Sequence, residues 1–305
     1  MATRAHSVPR FYLGEFADQP PGDRHEPCLY VGQVSTRDIR RRSPKNLAIA
    51  RGLYDGPRKF SGRTLESHLA RIESAAAPDI RRLASRQSSL LTEEICRFVS
   101  WQAARTPGWM RLAADWAAEW DPNEEPEVIE PPPDGFEPMT GCDRPMTLHL
   151  PSTGDTREAA SLEEFKLLHK EGWRWKLSKH DELEMVHVQA WYLRVRHFAR
   201  LSWTCLYAPQ GTSFVTSDRA VTWLADGYAD APPSMLRLPS AQVVAPLTRG
   251  LALVGRHEAT PLNVTPREIN RFVACTATEW VAGPSQNAVQ QALEDRAAAY
   301  AGTGA

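Results

Sequence analysis

The sequence lacks the short motifs that identify a reaction by themselves. It contains no GxxxxGKS/T phosphate loop, no GxGxxG dinucleotide loop, no HExxH zinc pair and no GxSxG nucleophile turn. It also lacks an apolar run near the length of about 18 residues that a membrane helix needs, and an apolar leader at its start. We therefore expect a cytoplasmic protein without membrane contact.

Cysteine is scarce, and charge of either sign is not in excess. The five cysteines form no CxxC pair, which favours reduced thiols over a disulfide framework or a zinc ribbon. There are 36 basic and 37 acidic residues, and the net charge of −1 does not favour a nucleic-acid partner. At 305 residues and 42% hydrophobic composition, the chain can form one large or two modest domains.

One segment divides the chain by composition. Residues 121–145 hold seven prolines and eight acidic residues in 25 positions, a pattern typical of an extended linker or flap. We expect a helical N-terminal region over 1–120, the linker or flap over 121–146, and an α+β region over 147–305. A single domain overall is the alternative.

Apolar spacing and capping residues predict the helices. A helix starts near Thr64, with a kink or a new helical segment at Pro78, and a second helix runs from Thr92 to Arg105. A third carries tryptophans at helical spacing over 109–120. Capping boxes begin helices after Ser161 and Thr265. The stretch 181–200 predicts one long helix.

Alternating and β-branched segments predict the strands. Residues 28–34 read as a strand, 201–209 and 213–218 as one hairpin, and 243–247 with 251–255 as another. The basic run 37–42 is predicted to be a solvated loop, with a phosphate site as the less favoured alternative. The fold class that follows is α+β, helix-dominated, with a small antiparallel sheet and closing C-terminal helices.

The opening HSVPRFYLGEF predicts an anchored terminus. Terminal residues are disordered unless they are tied down, yet Pro9 restricts the segment and Tyr12 and its apolar neighbours can dock it on a core. His6 is therefore a candidate ligand for a metal or a haem iron, since neutral imidazole binds both. A hydrogen bond from His6 to a backbone carbonyl is the alternative.

Other candidates fall into two groups. The predicted helix over 181–200 could present His197, with Trp191 beside it, to a cofactor. The second group is acidic and basic. Glu66 and Glu73 share a helical face, Asp218 ends a predicted strand, and Arg105 ends a helix; these are candidates for metal binding, substrate pairing or catalysis. A core histidine, a solvated helix face, a turn cap and a helix-dipole partner are the structural alternatives.

Five segments occur in a distinctive order: HSVPRFYLGEFAD, SPKNLAIARGLY, ESHLARIESAAAPDIRRL, FVSWQAARTPGW and FVTSDRAV. This order resembles the bacterial family catalogued as domain of unknown function 4238. The resemblance is strong over residues 6–109 and weaker over about 203–280. Its motifs fall on His6, Pro9, Tyr12, Leu13, Phe16, Tyr54, Glu66, Glu73, Arg105, Ser217 and Asp218. A further resemblance is to haem-containing arginine N-hydroxylases of actinobacterial antibiotic pathways.

Three functions follow as expectations. The first is a haem-dependent monooxygenase that hydroxylates a nitrogen of an arginine-like amino acid, with haem b on His6 or His197, Trp191 and Tyr12 at the cofactor, and Glu73, Asp218 and Arg105 as catalytic residues. The second is a metal-dependent phosphodiesterase or nuclease that uses His6, Glu66, Glu73 and Asp218 around a divalent metal. The third is a partner-binding protein without catalysis.

Overall fold

A computed structural model describes most of the chain. The described residues are 4–18, 26–51, 65–105, 121, 123, 146–177, 190, 193–225, 228–229, 236–257 and 264–302. The predicted linker or flap and the predicted tryptophan-bearing helix over 109–120 lie almost entirely outside them. No helix in the described parts of the chain is both long and apolar enough to span a lipid bilayer.

Helices and strands alternate irregularly along the chain, which confirms the α+β fold class. The α-helices of the described residues are α1 (Arg10–Phe16), α2 (Leu65–Ala84), α3 (Glu93–Ala104), α4 (Leu162–Lys170), α5 (Pro266–Thr276) and α6 (Gln286–Gly302). The strands are β1 (Arg4–His6), β2 (Leu29–Gln33), β3 (Ile39–Arg42), β4 (Ile49–Arg51), β5 (Met146–His149), β6 (Thr156–Ala159), β7 (Arg174–Trp175), β8 (Ser202–Tyr207), β9 (Thr216–Ser217), β10 (Thr222–Ala225), β11 (Tyr228–Ala229), β12 (Gln242–Thr248), β13 (Leu251–Arg256) and β14 (Trp280–Gly283).

Side-chain caps set the starts of three helices. The hydroxyl of Thr92 accepts from the Ile95 amide at α3, and Ser161 does the same at α4. At α5, Thr265 and Glu268 cap each other reciprocally, and Pro266 occupies the first turn. These starts confirm the sequence predictions.

Helix α2 continues through Pro78, so the prediction of a new helical segment there is wrong. Proline removes one backbone donor, but the apolar stripe on both sides of it is buried in the same core. Burial of that stripe outweighs the lost hydrogen bond.

The prediction that 181–200 ends as a regular α-helix is wrong for its last part. The described residues 193–197 form a π-helical turn, and 198–200 form a 3₁₀ turn. The wider spacing of the π turn changes which side chains share a face. Most of the remaining residues of this predicted helix, including His187 and Trp191, lie outside the described part.

The largest sheet of the described residues has five antiparallel strands in the order β11-β10-β12-β13-β8. The hairpin of β12 and β13 confirms its prediction, and both strands are almost wholly buried. The predicted hairpin over 201–209 and 213–218 is wrong, because β8 pairs with β13 whereas β9 pairs with β14 in another sheet.

The second sheet has the order β3-β2-β14-β9. Strand β2 confirms its prediction, whereas the prediction of a loop over 37–42 is wrong for residues 39–42, because β3 pairs antiparallel with β2 along its whole length. Helix α6 packs against this sheet at Gly32, where a Cβ atom would lie 2.6 Å from Leu293 and 2.8 Å from Val289. Only glycine permits this approach.

A smaller three-stranded sheet, in the order β6-β5-β7, has its own apolar cluster beneath helix α4. Phe165 and Leu148 are fully buried there, and Trp173 and Trp175 pack at its edge. Thus the region after the proline-rich segment contains two apolar clusters, of which the larger also includes helices α1 to α3.

The opening segment is anchored by backbone pairing and by one buried hydroxyl. Strand β1 pairs antiparallel with β4, so the backbone of His6 lies opposite Ile49. The Tyr12 hydroxyl on α1 donates to the Pro246 carbonyl at 2.6 Å and lies 3.0 Å from the Thr216 hydroxyl. Since a phenol has one proton, Thr216 is the donor in the second bond. Helix α1 is thus joined to both larger sheets.

Replacing Tyr12 by Phe should lower the free energy of unfolding by about 1–3 kcal/mol, since the Pro246 carbonyl stays buried without its donor. Burial raises the pKa of Tyr12 above its usual 10.0. The unfolded phenol ionises first, so stability is lost as pH rises above about 10. Urea unfolding at pH 7 and 10.5 should show both effects. Tyr30→Phe is the matched control; equal losses in the two variants would contradict the assignment.

Candidate functional site

The candidate site lies where helices α2 and α3 pack together. The buried stripe of α2 turns Glu66 and Glu73, two helical turns apart, toward one side of the helix. Between them His68 is 6% exposed, and its ring lies 5.3 Å from that of Trp101 on α3. The two carboxyl groups are therefore positioned by the core contact of the two helices.

Arg105 and Glu73 form an ion pair at this contact. Arg105 caps the C-terminus of α3, and its Nη1 donates to Glu73 Oε1 at 2.6 Å. The arginine side chain is 2% exposed and the glutamate side chain 23%. A buried guanidinium needs a counter-charge, because its desolvation is otherwise uncompensated. The sequence proposed both residues, and the structure brings them together.

Gln102 is a site residue that the sequence reasoning missed. Its Oε1 accepts from Arg105 Nε at 3.1 Å, which identifies Nε2 as the amide donor. Among the described residues Nε2 has no hydrogen-bond acceptor, although Gln102 is 1% exposed. The spacing of three residues before Arg105 on one helix is the only sequence signal for it. The site thus contains a buried N–H group, Nε2 of Gln102, that could donate a hydrogen bond to a ligand.

The charge balance of the cluster is negative. Partial burial, and next the charge of Glu73, raise the pKa of Glu66, while Arg105 opposes the rise. Among the described residues, the positive charge of Arg105 therefore does not balance the negative charges of Glu66 and Glu73. A cation that binds near Glu66 would be stabilised by both carboxyl groups.

Asp218 and Ser217 are used within the fold. The Asp218 carboxylate accepts from the amides of Thr278 and Trp280 and from the Thr278 hydroxyl. Ser217 Oγ donates to the Arg219 carbonyl at 2.9 Å. These bonds hold the end of β9 against the start of β14. The structure thus gives Asp218 partners other than Glu73 and Arg105, and the catalytic role predicted for it stays a prediction.

Two of the four predicted cofactor-binding residues, His197 and Tyr12, have side chains that the structure describes. His197 is 2% exposed at the end of the π-helical turn, followed by Phe198, whose ring meets Trp203 edge-on at 5.7 Å. Tyr12 has both of its hydroxyl bonds inside the core. Trp191 and the side chain of His6 lie outside the described residues. Within those residues, no three His, Cys, Asp or Glu side chains are grouped to hold a metal.

Comparison with known proteins identifies a family without a reaction. The family model described as "Protein of unknown function (DUF4238)" matches residues 4–287. The searches of the curated proteins and of the solved structures gave no significant match.

Glu66→Gln and Glu73→Gln should change stability in opposite directions. The raised pKa of Glu66 means that the folded state favours its proton, so its contribution is present below pH about 4.5 and is lost as pH rises. Glu66→Gln should therefore be at least as stable as the wild type at pH 7. Glu73→Gln removes the carboxylate that accepts from the buried Arg105 guanidinium at 2.6 Å and should lose about 3–5 kcal/mol.

Urea unfolding at pH 4 and pH 7 measures both effects. The exposed Glu158→Gln is the matched control and should resemble the wild type at both pH values. A Glu66→Gln variant that is less stable than the wild type at pH 7 would contradict the charge balance described for the cluster.

Proposed function

Since the chain belongs to the DUF4238 family, whose description names no reaction, we propose a function from the carboxylate pair: metal-dependent hydrolysis of a phosphodiester. Glu66 and Glu73 hold a divalent cation, and Gln102 and Arg105 support the site from helix α3. Water and substrate oxygens complete the coordination, as is usual for Mg²⁺ sites with one or two carboxylates.

The observation that carries this proposal is the position of Glu66 and Glu73 on one side of α2, next to the buried Arg105 that Glu73 binds; burial first, and then the charge of Glu73, raise the pKa of Glu66. A half-buried carboxylate pair with a single guanidinium costs stability in the free protein, and a divalent cation removes that cost. Cation binding also releases the proton that Glu66 retains at acidic pH. Affinity for the metal should therefore rise with pH.

Each residue has a distinct part in the proposed site. Arg105, which is buried, fixes the position of Glu73 through its 2.6 Å bond and is a positioning residue. The free N–H of Gln102 offers a hydrogen bond to a phosphoryl oxygen at the same helix contact. A divalent metal held by Glu66 and Glu73 would polarise the phosphoryl group and lower the pKa of a bound water. Water adds its hydroxyl to phosphorus, and the departing oxygen leaves as an alcohol with a proton.

Calorimetric titration with Mn²⁺ tests metal binding without relying on activity. Wild type should bind one ion with proton release at acidic pH, and Glu66→Gln should weaken binding at least about tenfold while the fold is retained. Glu158→Gln should bind as the wild type does. Hydrolysis of bis(p-nitrophenyl) phosphate should fail in Glu66→Gln and in the presence of EDTA. Hydrolysis that persists in both would reject the proposal.

A second candidate function is haem-dependent N-hydroxylation of an arginine-like amino acid. The observation that favours it is the buried imidazole of His197 at a π-helical turn, an element frequent at functional sites. His6 is the alternative axial ligand, and the haem b would be non-covalent because the sequence has no CxxCH attachment motif. Since Glu73 already pairs with Arg105, the substrate guanidinium would be assigned to Glu66.

An absorption spectrum of protein expressed with added haem precursor distinguishes the two candidates. Under the second candidate, a Soret band should scale with protein, shift on addition of arginine, and disappear in His197→Ala or His6→Ala. Loss in one variant and retention in the other identifies the axial ligand. A colourless wild type that also fails to take up haemin would reject this function and leave the phosphodiesterase.

A further inference from the structure

The edge of the four-stranded sheet carries a row of arginines. Among the described strands, β3 pairs only with β2, and in this register Arg40 lies opposite Val31 and Arg42 opposite Leu29. Because side chains alternate along a strand, Arg40 and Arg42 share one face, about 7 Å apart. Arg41 faces the other way, toward the ring of Tyr30.

This arginine face borders a cavity of about 250 Å³. Its lining residues are Val31, Gln33, Asp38, Arg40 and Arg42. The floor is apolar, since Val31 is 3% exposed, and the wall is formed by two guanidinium groups and an amide. A concave site with an apolar base and a few convergent polar groups is the usual form of a small-ligand site.

The charges around the cavity are only partly neutralised. Arg40 lies 3.6 Å from Asp38, but both side chains are more than half exposed, so the pair is weak. Among the described residues Arg42 forms no ion pair, while nearby Lys45 is engaged with Glu26 at 2.6 Å. The cavity therefore has a positive potential of its own.

Protection of a sheet edge explains charge on β3 but does not explain the cavity. Edge strands are guarded against pairing by any charged side chain, and lysine serves that purpose best. All three charged residues of β3 are arginines, whose planar fork matches two oxygens of one phosphate. Two such forks on one wall match a tetrahedral oxyanion.

We propose that the cavity between β2 and β3 binds a phosphoryl group of a nucleotide ligand. Arg42 and Arg40 form charge-assisted hydrogen bonds to the phosphate, and the Gln33 amide adds a further donor. The cavity is smaller than the roughly 300–1,000 Å³ of sites for whole drug-sized ligands, so the site holds a phosphate and its sugar rather than a complete dinucleotide. This site does not depend on the carboxylate pair of α2.

Binding can be measured by calorimetry with pyrophosphate and AMP, and by fluorescence anisotropy with a labelled ten-nucleotide single strand. Wild type should bind at least one of these saturably. Arg42→Gln should lower the affinity about tenfold or more. Arg42→Lys should restore only part of the affinity, because lysine carries the positive charge but lacks the planar guanidinium with its paired donors. Binding of AMP assigns the site to free nucleotides, and binding of the oligonucleotide alone assigns it to a strand.

Arg82→Gln is the matched control, since it removes the same charge from an exposed arginine on helix α2. It should bind as the wild type does, and all variants should retain the far-ultraviolet circular dichroism and melting temperature of the wild type. An equal loss in Arg82→Gln and Arg42→Gln would show a general charge effect and overturn the proposal. Absence of saturable binding by all three probes would also overturn it.

Discussion

The Tyr12 hydroxyl connects the first helix to the two larger sheets, and much of the core is arranged around that connection. The hydroxyl bonds Pro246 in the five-stranded sheet and Thr216 in the four-stranded sheet. The ring also contacts Phe16 and Phe98, which brings helix α3 against the same point. Because a buried phenol is stable only when its proton has an acceptor, the Tyr12 hydroxyl and the Pro246 carbonyl each depend on the other in the folded state.

The same contact determines where the acidic cluster lies. Helix α3 carries Phe98 toward Tyr12 and Arg105 toward Glu73, so one helix serves the core and the candidate site. The packing of Phe98 thus sets the position of helix α3, and α3 in turn sets the position of the Arg105 guanidinium. The other carboxylate, Glu66, is half-buried, and burial disfavours its charged form. Ionisable groups with shifted pKa values are common at functional sites, where stability can be lower than elsewhere in a protein.

Local signals in the sequence predicted local structure well. Caps at Thr92, Ser161 and Thr265, and the hairpin of β12 and β13, depend on neighbouring residues, and the structure confirms each. Strand partners distant in sequence were not predictable. Strands β8 and β9 lie in adjacent stretches of the chain, yet β8 pairs with the buried strand β13 and β9 pairs with the buried strand β14. The arginine-rich β3 reads as a loop because its exposed composition hides its pairing with β2.

The candidate site shows the same division. Helical spacing predicted that Glu66 and Glu73 share a face, and Arg105 was identified from its position at the end of a helix. Their ion pair joins residues 32 apart in sequence, and its charge balance depends on burial that only packing creates. Gln102 was missed because a glutamine inside a helix is normally solvated. The role of His6 stays a prediction, although the backbone pairing of its strand confirms that the opening segment is anchored.

Pro78 gives helix α2 two mechanically different halves. The amide that would bind the Ser74 carbonyl is absent, so bending the helix costs least just after Glu73. Beyond the proline, Arg81 is tied to Glu15 and the Leu83 carbonyl accepts from the Tyr207 hydroxyl. The C-terminal half is therefore fastened to the sheet. The half that carries both carboxylates is held by its own buried side chains, Leu65, Leu69 and Ile72, so the two ends of α2 are fixed by different contacts on either side of the proline.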